Sequence, residues 1–189
     1  MTPREIIRKV RMSPEVNDNN EARYSDYQIV DALNSALNMV YNELGTLSNE
    51  LLTKTETVNL RHGEAELPED LLQIVEVYRG DTVYIPQTKG KAVSPYTYNV
   101  YGNSIYSDAD KLTIDYRPSF EEIGMDELDD DLAYPNYFKE FIKKLVIMCL
   151  KGTLEMPEGL AYLQSTIRSL TANRSFNRLE IGGTWSELL

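Results

Sequence analysis

The spacing of apolar residues changes twice along this chain, and that change limits the fold more than any other feature. Ile29, Leu33, Ala36, Leu37, Val40, Tyr41 and Leu44 recur every three or four residues, which places them on one face of a helix. From about Thr55 the period falls to two. Val58 and Leu60 alternate with Thr57 and Asn59, and Leu112, Ile114 and Tyr116 repeat the alternation. Helical spacing returns after Pro135, where Phe138, Phe141, Ile142, Leu145, Met148 and Cys149 form a wide apolar stripe. Strands are therefore expected between two helical stretches.

Local signals place the boundaries. Thr2 reads as a helix cap with Pro3 at the first helical position, and Ile6, Ile7 and Val10 give that helix an apolar face. The polar, asparagine-rich stretch 13–23 reads as a loop. Ser25 and Gln28 form a capping box, Gly45 is the expected stop, and a short piece over 48–52 follows. Residues 72–78 and 82–85 read as strands, with His62-Gly63 and Arg79-Gly80-Asp81 as turns. The stretch 86–110 reads as irregular. Pro157 opens a last helix with Leu160, Leu163, Ile167 and Leu170 on one face, and the pattern stops after Asn173.

The expected fold is α+β but mainly α, a helical bundle with an inserted small antiparallel β-sheet and an extended C-terminal arm. It is read as a single domain over 1–189. Its helical parts are 1–53 and 118–175, its β insertion is 54–117, and its arm is 176–189.

Composition narrows the chemistry. One cysteine, Cys149, lies in the apolar run LVIMCL and reads as a small buried hydrophobe, and one histidine, His62, lies in a turn. Nucleophile-plus-base catalysis has little to draw on, so the chain is read as not an enzyme, with no catalytic, cofactor or metal residues and no cofactor. The net charge of −11 carries no compensating basic cluster, which argues against gripping nucleic acid. No apolar run approaches the roughly 20 residues that cross a bilayer, and the N-terminal stretch lacks a signal-peptide core. An intracellular origin without membrane attachment is expected.

Several features point two ways. Arg79-Gly80-Asp81 matches an adhesion tripeptide but reads as a turn. The acidic run 126–131 suggests a cation site, yet it lacks the alternating oxygen pattern and distal glutamate of a calcium loop; a solvated lead-in to the next helix is the better reading. Tyr96, Tyr98, Tyr101 and Tyr106 suit an interface loop or a hairpin covering its own sheet, and neither reading is preferred. Beyond Gly182-Gly183 lie Trp185, Leu188 and Leu189, with Ile181 just before, and no local periodicity folds them into a core. Docking on another surface is expected, a neighbour's before the chain's own, because each large apolar side chain left in water forgoes about 1.5–3 kcal/mol.

Three stretches carry a family resemblance: YSDYQIVDALNSALNMVYNEL; ELPEDLLQIVEVYRGDTVYI, where an L-P-x-D element precedes a strand and a turn; and LTIDYRPSFEEI, followed by an acidic segment and the proline-initiated YPNYFKEFIKKLVIMCL. Their order over residues 24–172 resembles the adaptor, or head-completion, proteins of the head-to-tail connector of tailed bacteriophages. The resemblance implies a ring of twelve copies between the portal protein and tail or nozzle proteins, assembled in the bacterial host cytoplasm and retained in the virion. It also implies that DNA passes through the lumen without specific binding. Ile181, Trp185, Leu188, Leu189, Tyr96, Tyr98 and Tyr101 are the expected interface residues. The alternatives are a small binding module using the tyrosine-rich β insertion to hold a peptide or saccharide and, more weakly, a metal-assisted enzyme using residues 126–131.

Overall fold

Among the residues that a computed structural model describes, four α-helices and eight strands follow the order helix, helix, strands, helix, helix. It describes residues 1–18, 23–47, 50–87 and 94–182, without the side chains of 50 and 173–182. The chain divides into two compact units, a helical one of Met1–Leu51 with Glu121–Leu189, and a β unit of Leu52–Phe120.

The helical unit contains α1 (Pro3–Arg11), α2 (Asp26–Thr46), α3 (Lys139–Leu150) and α4 (Pro157–Gly182). Both expected caps form. Thr2 and Glu5 exchange side-chain-to-backbone hydrogen bonds at the start of α1, as Ser25 and Gln28 do at α2, so each pair satisfies two N–H groups of an otherwise unpaired first turn. Gly45 does not stop α2, which runs to Thr46. Glycine costs about 1 kcal/mol in a helix, and the adjacent Leu44, fully buried, holds the turn in place. The apolar faces meet in a core that includes Ile6, Leu33, Leu37, Phe138, Ile142 and Leu145.

Charge is also buried here. The Arg11 guanidinium donates to Asp18 at 2.7 Å, to the Tyr24 carbonyl at 3.0 Å and to Asp26 at 2.6 Å. Asp18 in turn accepts from the N–H groups of Arg23 and Tyr24 at 2.8 and 3.0 Å. Arg11 and Asp18 are both almost fully buried, and their pairing with multiple hydrogen bonds is the condition under which buried charge is tolerated. The polar stretch after α1 is thus tied down at its described ends.

The β unit holds two four-stranded sheets. In the first, β1 (Lys54–Asn59), β8 (Lys111–Pro118), β3 (Leu71–Arg79) and β4 (Thr82–Val83) lie in the order β1-β8-β3-β4, all antiparallel. In the second, β2 (Glu64–Glu66), β7 (Ser104–Ser107), β6 (Thr97–Tyr101) and β5 (Ile85–Pro86) lie in the order β2-β7-β6-β5, with β5 and β6 parallel. Val58, Val77, Leu112, Ile114 and Tyr116 of the first sheet share one core with Tyr98 and Ile105 of the second. Tight hairpin turns set the registers. His62 (φ 55°) and Gly63 (φ 82°) are both left-handed, as a type I′ turn requires, and a Cβ on Gly63 would lie 3.1 Å from the Ser107 carbonyl oxygen. Gly80 and Gly102 each take the left-handed first position of a two-residue turn.

Strand β3 is irregular in a specific way. Its pairing with β8 shifts between Leu71 and Gln73 and again between Ile74 and Glu76, leaving Leu72 and Val75 as extra residues. Inward positions therefore fall at Leu71, Ile74 and Val77, three residues apart, while Leu72 and Val75 are exposed.

Two further expectations are corrected. The fold is not a mainly helical bundle: helices account for 40% and strands for 25%, in two sheets rather than one small antiparallel sheet. The difference lies in β6 and β7, which occupy the stretch read as irregular; Thr97, Asn99 and Ser104 interrupt its apolar residues because each sheet turns only one face to the core. The extended arm does not begin at 176, because α4 continues to Gly182; losing an apolar face does not end a helix when no breaker intervenes. The acidic run, by contrast, is exposed at Asp126, Glu127, Asp129, Asp130 and Asp131, as a solvated lead-in requires, while its backbone is anchored to α1. Leu128 is buried, its carbonyl accepts from Arg4 N–H at 2.9 Å, and the Arg4 guanidinium grips Asp129 at 2.5 and 2.8 Å.

Candidate interaction surfaces

The tyrosines expected at an interface separate. Tyr98 points into the β core with Ile105, and burial raises its phenol pKa. Tyr96 takes a left-handed φ of 60°, is exposed, and sets its ring edge-on to Tyr84 at 6.1 Å. Tyr101 is exposed beside the Gly102 turn. Ile181 lies in α4 with its side chain outside the described residues, and Trp185, Leu188 and Leu189 lie outside them altogether.

The outward face of the second sheet carries a polar row. Tyr106 stands between Glu64 on β2 and Asn99 on β6 and donates to the Glu64 carboxylate at 2.8 Å. That hydrogen bond, with burial second, raises the Tyr106 pKa. The first sheet's outward face is built similarly: Asp115 accepts from Thr55 at 2.6 Å and from Tyr78 at 3.3 Å, and Thr57 meets Thr113 at 3.3 Å. At the unit's end, Tyr116 donates to Asp70 at 2.9 Å while Lys54 pairs with the same carboxylate at 2.6 Å. Burial, then Asp70, pushes the Tyr116 phenol up to about 12, and the Lys54 hydrogen bond lowers Asp70.

Apolar exposure is uneven. Leu72, Val75, Val83, Ile85, Tyr96 and Tyr101 of the β unit are each more than half exposed. In the larger helical unit only Met12 and Tyr27 are, among the described residues. Large apolar side chains left in water are the groups that association sites bury.

Among the described residues no three His, Cys, Asp or Glu side chains are grouped so as to hold a metal ion. Cys149 is half-buried, and burial, with Glu155 and Asp31 adding to it, pushes its thiol up to about 11. A thiol held protonated in this way is a poor nucleophile at neutral pH.

No family model matches the chain, and no curated protein does.

Sequence reasoning missed Tyr106 with Glu64, the exposed Leu72 and Val75, and the Arg11–Asp18–Asp26 network. The alternation of Tyr98, Val100 and Ile105 around Gly102-Asn103 was a usable hairpin signal. The bulges and the buried ion pair leave no such mark, because each depends on a partner far away or on a pairing register.

Proposed function

We propose that this chain is a non-enzymatic structural subunit that works by assembling with copies of itself and with neighbouring proteins. Its place is the adaptor ring between portal and tail in a tailed bacteriophage. The observation that carries the reading is the concentration of exposed apolar side chains on the β unit, which gain free energy by burial against another chain at roughly 25 cal/mol per Å². The order of sequence elements that resembles head-to-tail adaptors supports the particular assembly. The net charge of −11 suits a lumen through which DNA slides, since like charge keeps phosphates from adhering.

Light-scattering mass of the purified protein, alone and mixed with a candidate portal ring, tests this. Assembly above the monomer mass is expected in at least one condition, and Val75→Lys with Ile85→Lys abolishes it. A monomer in every mixture overturns the reading, and tight, salt-sensitive DNA binding overturns the lumen. A second reading, a binding module for a peptide or saccharide, is favoured by the Glu64–Tyr106–Asn99 row with Tyr101 beside it. It predicts a monomer whose ligand binding is lost in Tyr101→Ala.

A further inference from the structure

A groove of about 340 Å³ lies along α1. Ile7 and Leu128, both buried, contribute its apolar lining, and the exposed Met12 extends that lining outward. Three arginines and one carboxylate, Asp26, also line it, and the arginines differ in how they are held. Arg4 is paired with Asp129, and Arg11 with Asp18 and Asp26. Arg8 is exposed and makes no side-chain hydrogen bond or ion pair among the described residues. The groove thus offers an apolar wall beside one uncommitted guanidinium.

We infer that this groove receives residues 183–189 of a second copy of the chain. The inference rests on the self-assembly proposed above and names the surface that receives the segment. The match is chemical. Residues 183–189 (GTWSELL) carry three large apolar side chains and one carboxylate, Glu187, with no cation. Glu187 answers Arg8, and Trp185 answers Ile7, Met12 and Leu128. The groove's volume is near the lower end of the roughly 300–1,000 Å³ of ligand pockets, which suits one large anchoring side chain rather than a whole peptide. Trp and Arg are also the residues in which interface anchors are enriched. A second copy is the occupant in keeping with the self-assembly proposed above, and α4, running well past its last buried side chain, gives the segment reach. Ile167 is the last buried residue among the described side chains, and α4 extends to Gly182, about 22 Å further at a rise of about 1.5 Å per residue.

Trp185 is the only tryptophan, so emission excited beyond the tyrosine absorption band reports on this segment alone. Emission and light-scattering mass are measured together over a concentration series for the native chain, Arg8→Glu, Glu187→Lys and the double variant. The native emission is expected to move to shorter wavelength as mass rises. Each single variant loses that shift, and the double variant, with the charges exchanged, regains it. A shift independent of concentration overturns the inference in favour of docking within one chain. So does a double variant that stays like the single ones. Rising mass with emission that remains that of a water-exposed indole ends the groove inference but leaves the assembly reading standing. Constant monomer mass, with and without a portal ring, ends both.

Discussion

The helical unit and the β unit dispose of their apolar residues in opposite ways. The helical unit turns Ile6, Leu33, Phe138 and Ile142 inward and even encloses a salt-bridge network, whereas the β unit encloses one face of each sheet and leaves Leu72, Val75, Val83 and Ile85 in water. Helices wrap a core from several sides, and a three- or four-residue stripe suffices to seal it. A small pair of sheets has an inside and an outside, and what the outside carries is not decided by folding. The contrast teaches that most of the helical unit's apolar sequence, the groove beside α1 and its exposed Met12 apart, goes into its own core, while more of the β unit's stays in water.

The largest test of this contrast lies in the buried network. Asp18→Ala removes the buried partner of Arg11, leaving it Asp26 and the Tyr24 carbonyl, and is expected to cost about 3–5 kcal/mol, the usual penalty for breaking a buried pair. Chemical denaturation measures it, and a loss under 1 kcal/mol would show that the helical unit does not depend on its enclosed charge. Next, Ile114→Ala in the β core is expected to cost about 2–5 kcal/mol. Leu72→Ser and Val75→Ser should each stay within about 0.5 kcal/mol while weakening assembly. If the two exposed positions prove as costly to stability as Ile114, the outside of the β unit belongs to folding after all.

Gly63→Ala should cost about 1–2 kcal/mol, because alanine is strained at φ 82° and its Cβ presses on the Ser107 carbonyl. A neutral result in thermal unfolding would mean that the His62-Gly63 turn relaxes. The smallest effect is electrostatic. Hydrogen bonds from Lys143 and then Lys9 hold Glu140 down at about 2, from an ordinary 4.5. Its contribution is therefore complete above about pH 4.5 and lost as pH falls towards 2. Stability curves of the native chain and Glu140→Gln should differ slightly at neutral pH and converge in acid, and the gap stays small because the side chain is exposed.

Much of the helical unit was legible in the sequence, since Thr2, Ser25 and Pro157 act through their immediate neighbours and the apolar stripes repeat locally. The turns at His62-Gly63 and Gly80-Asp81 were legible for the same reason. The end of α2 was misjudged because packing at Leu44 outweighs a glycine at 45. The second sheet was missed because its strands are short and polar on one face, so Tyr98 and Tyr101 looked alike until pairing with β7 placed one in the core and the other at a turn. Of the candidate surfaces, the tyrosines were visible as a group but not as separate roles. Leu72 and Val75 looked like ordinary strand positions.

Those two residues have a further consequence, which is a matter of parity. With Leu72 and Val75 removed on paper, Leu71, Gln73, Ile74, Glu76 and Val77 face Pro118, Arg117, Tyr116, Asp115 and Ile114 in unbroken alternation. Each insertion is odd and would by itself turn every later side chain to the wrong face, yet each is absorbed where it occurs. Deleting either residue would therefore leave Leu71, Ile74 and Val77 on the core face. In a lineage whose partners change, such positions let a contact surface be rewritten, in length as well as in identity, while the fold beneath it stays the same.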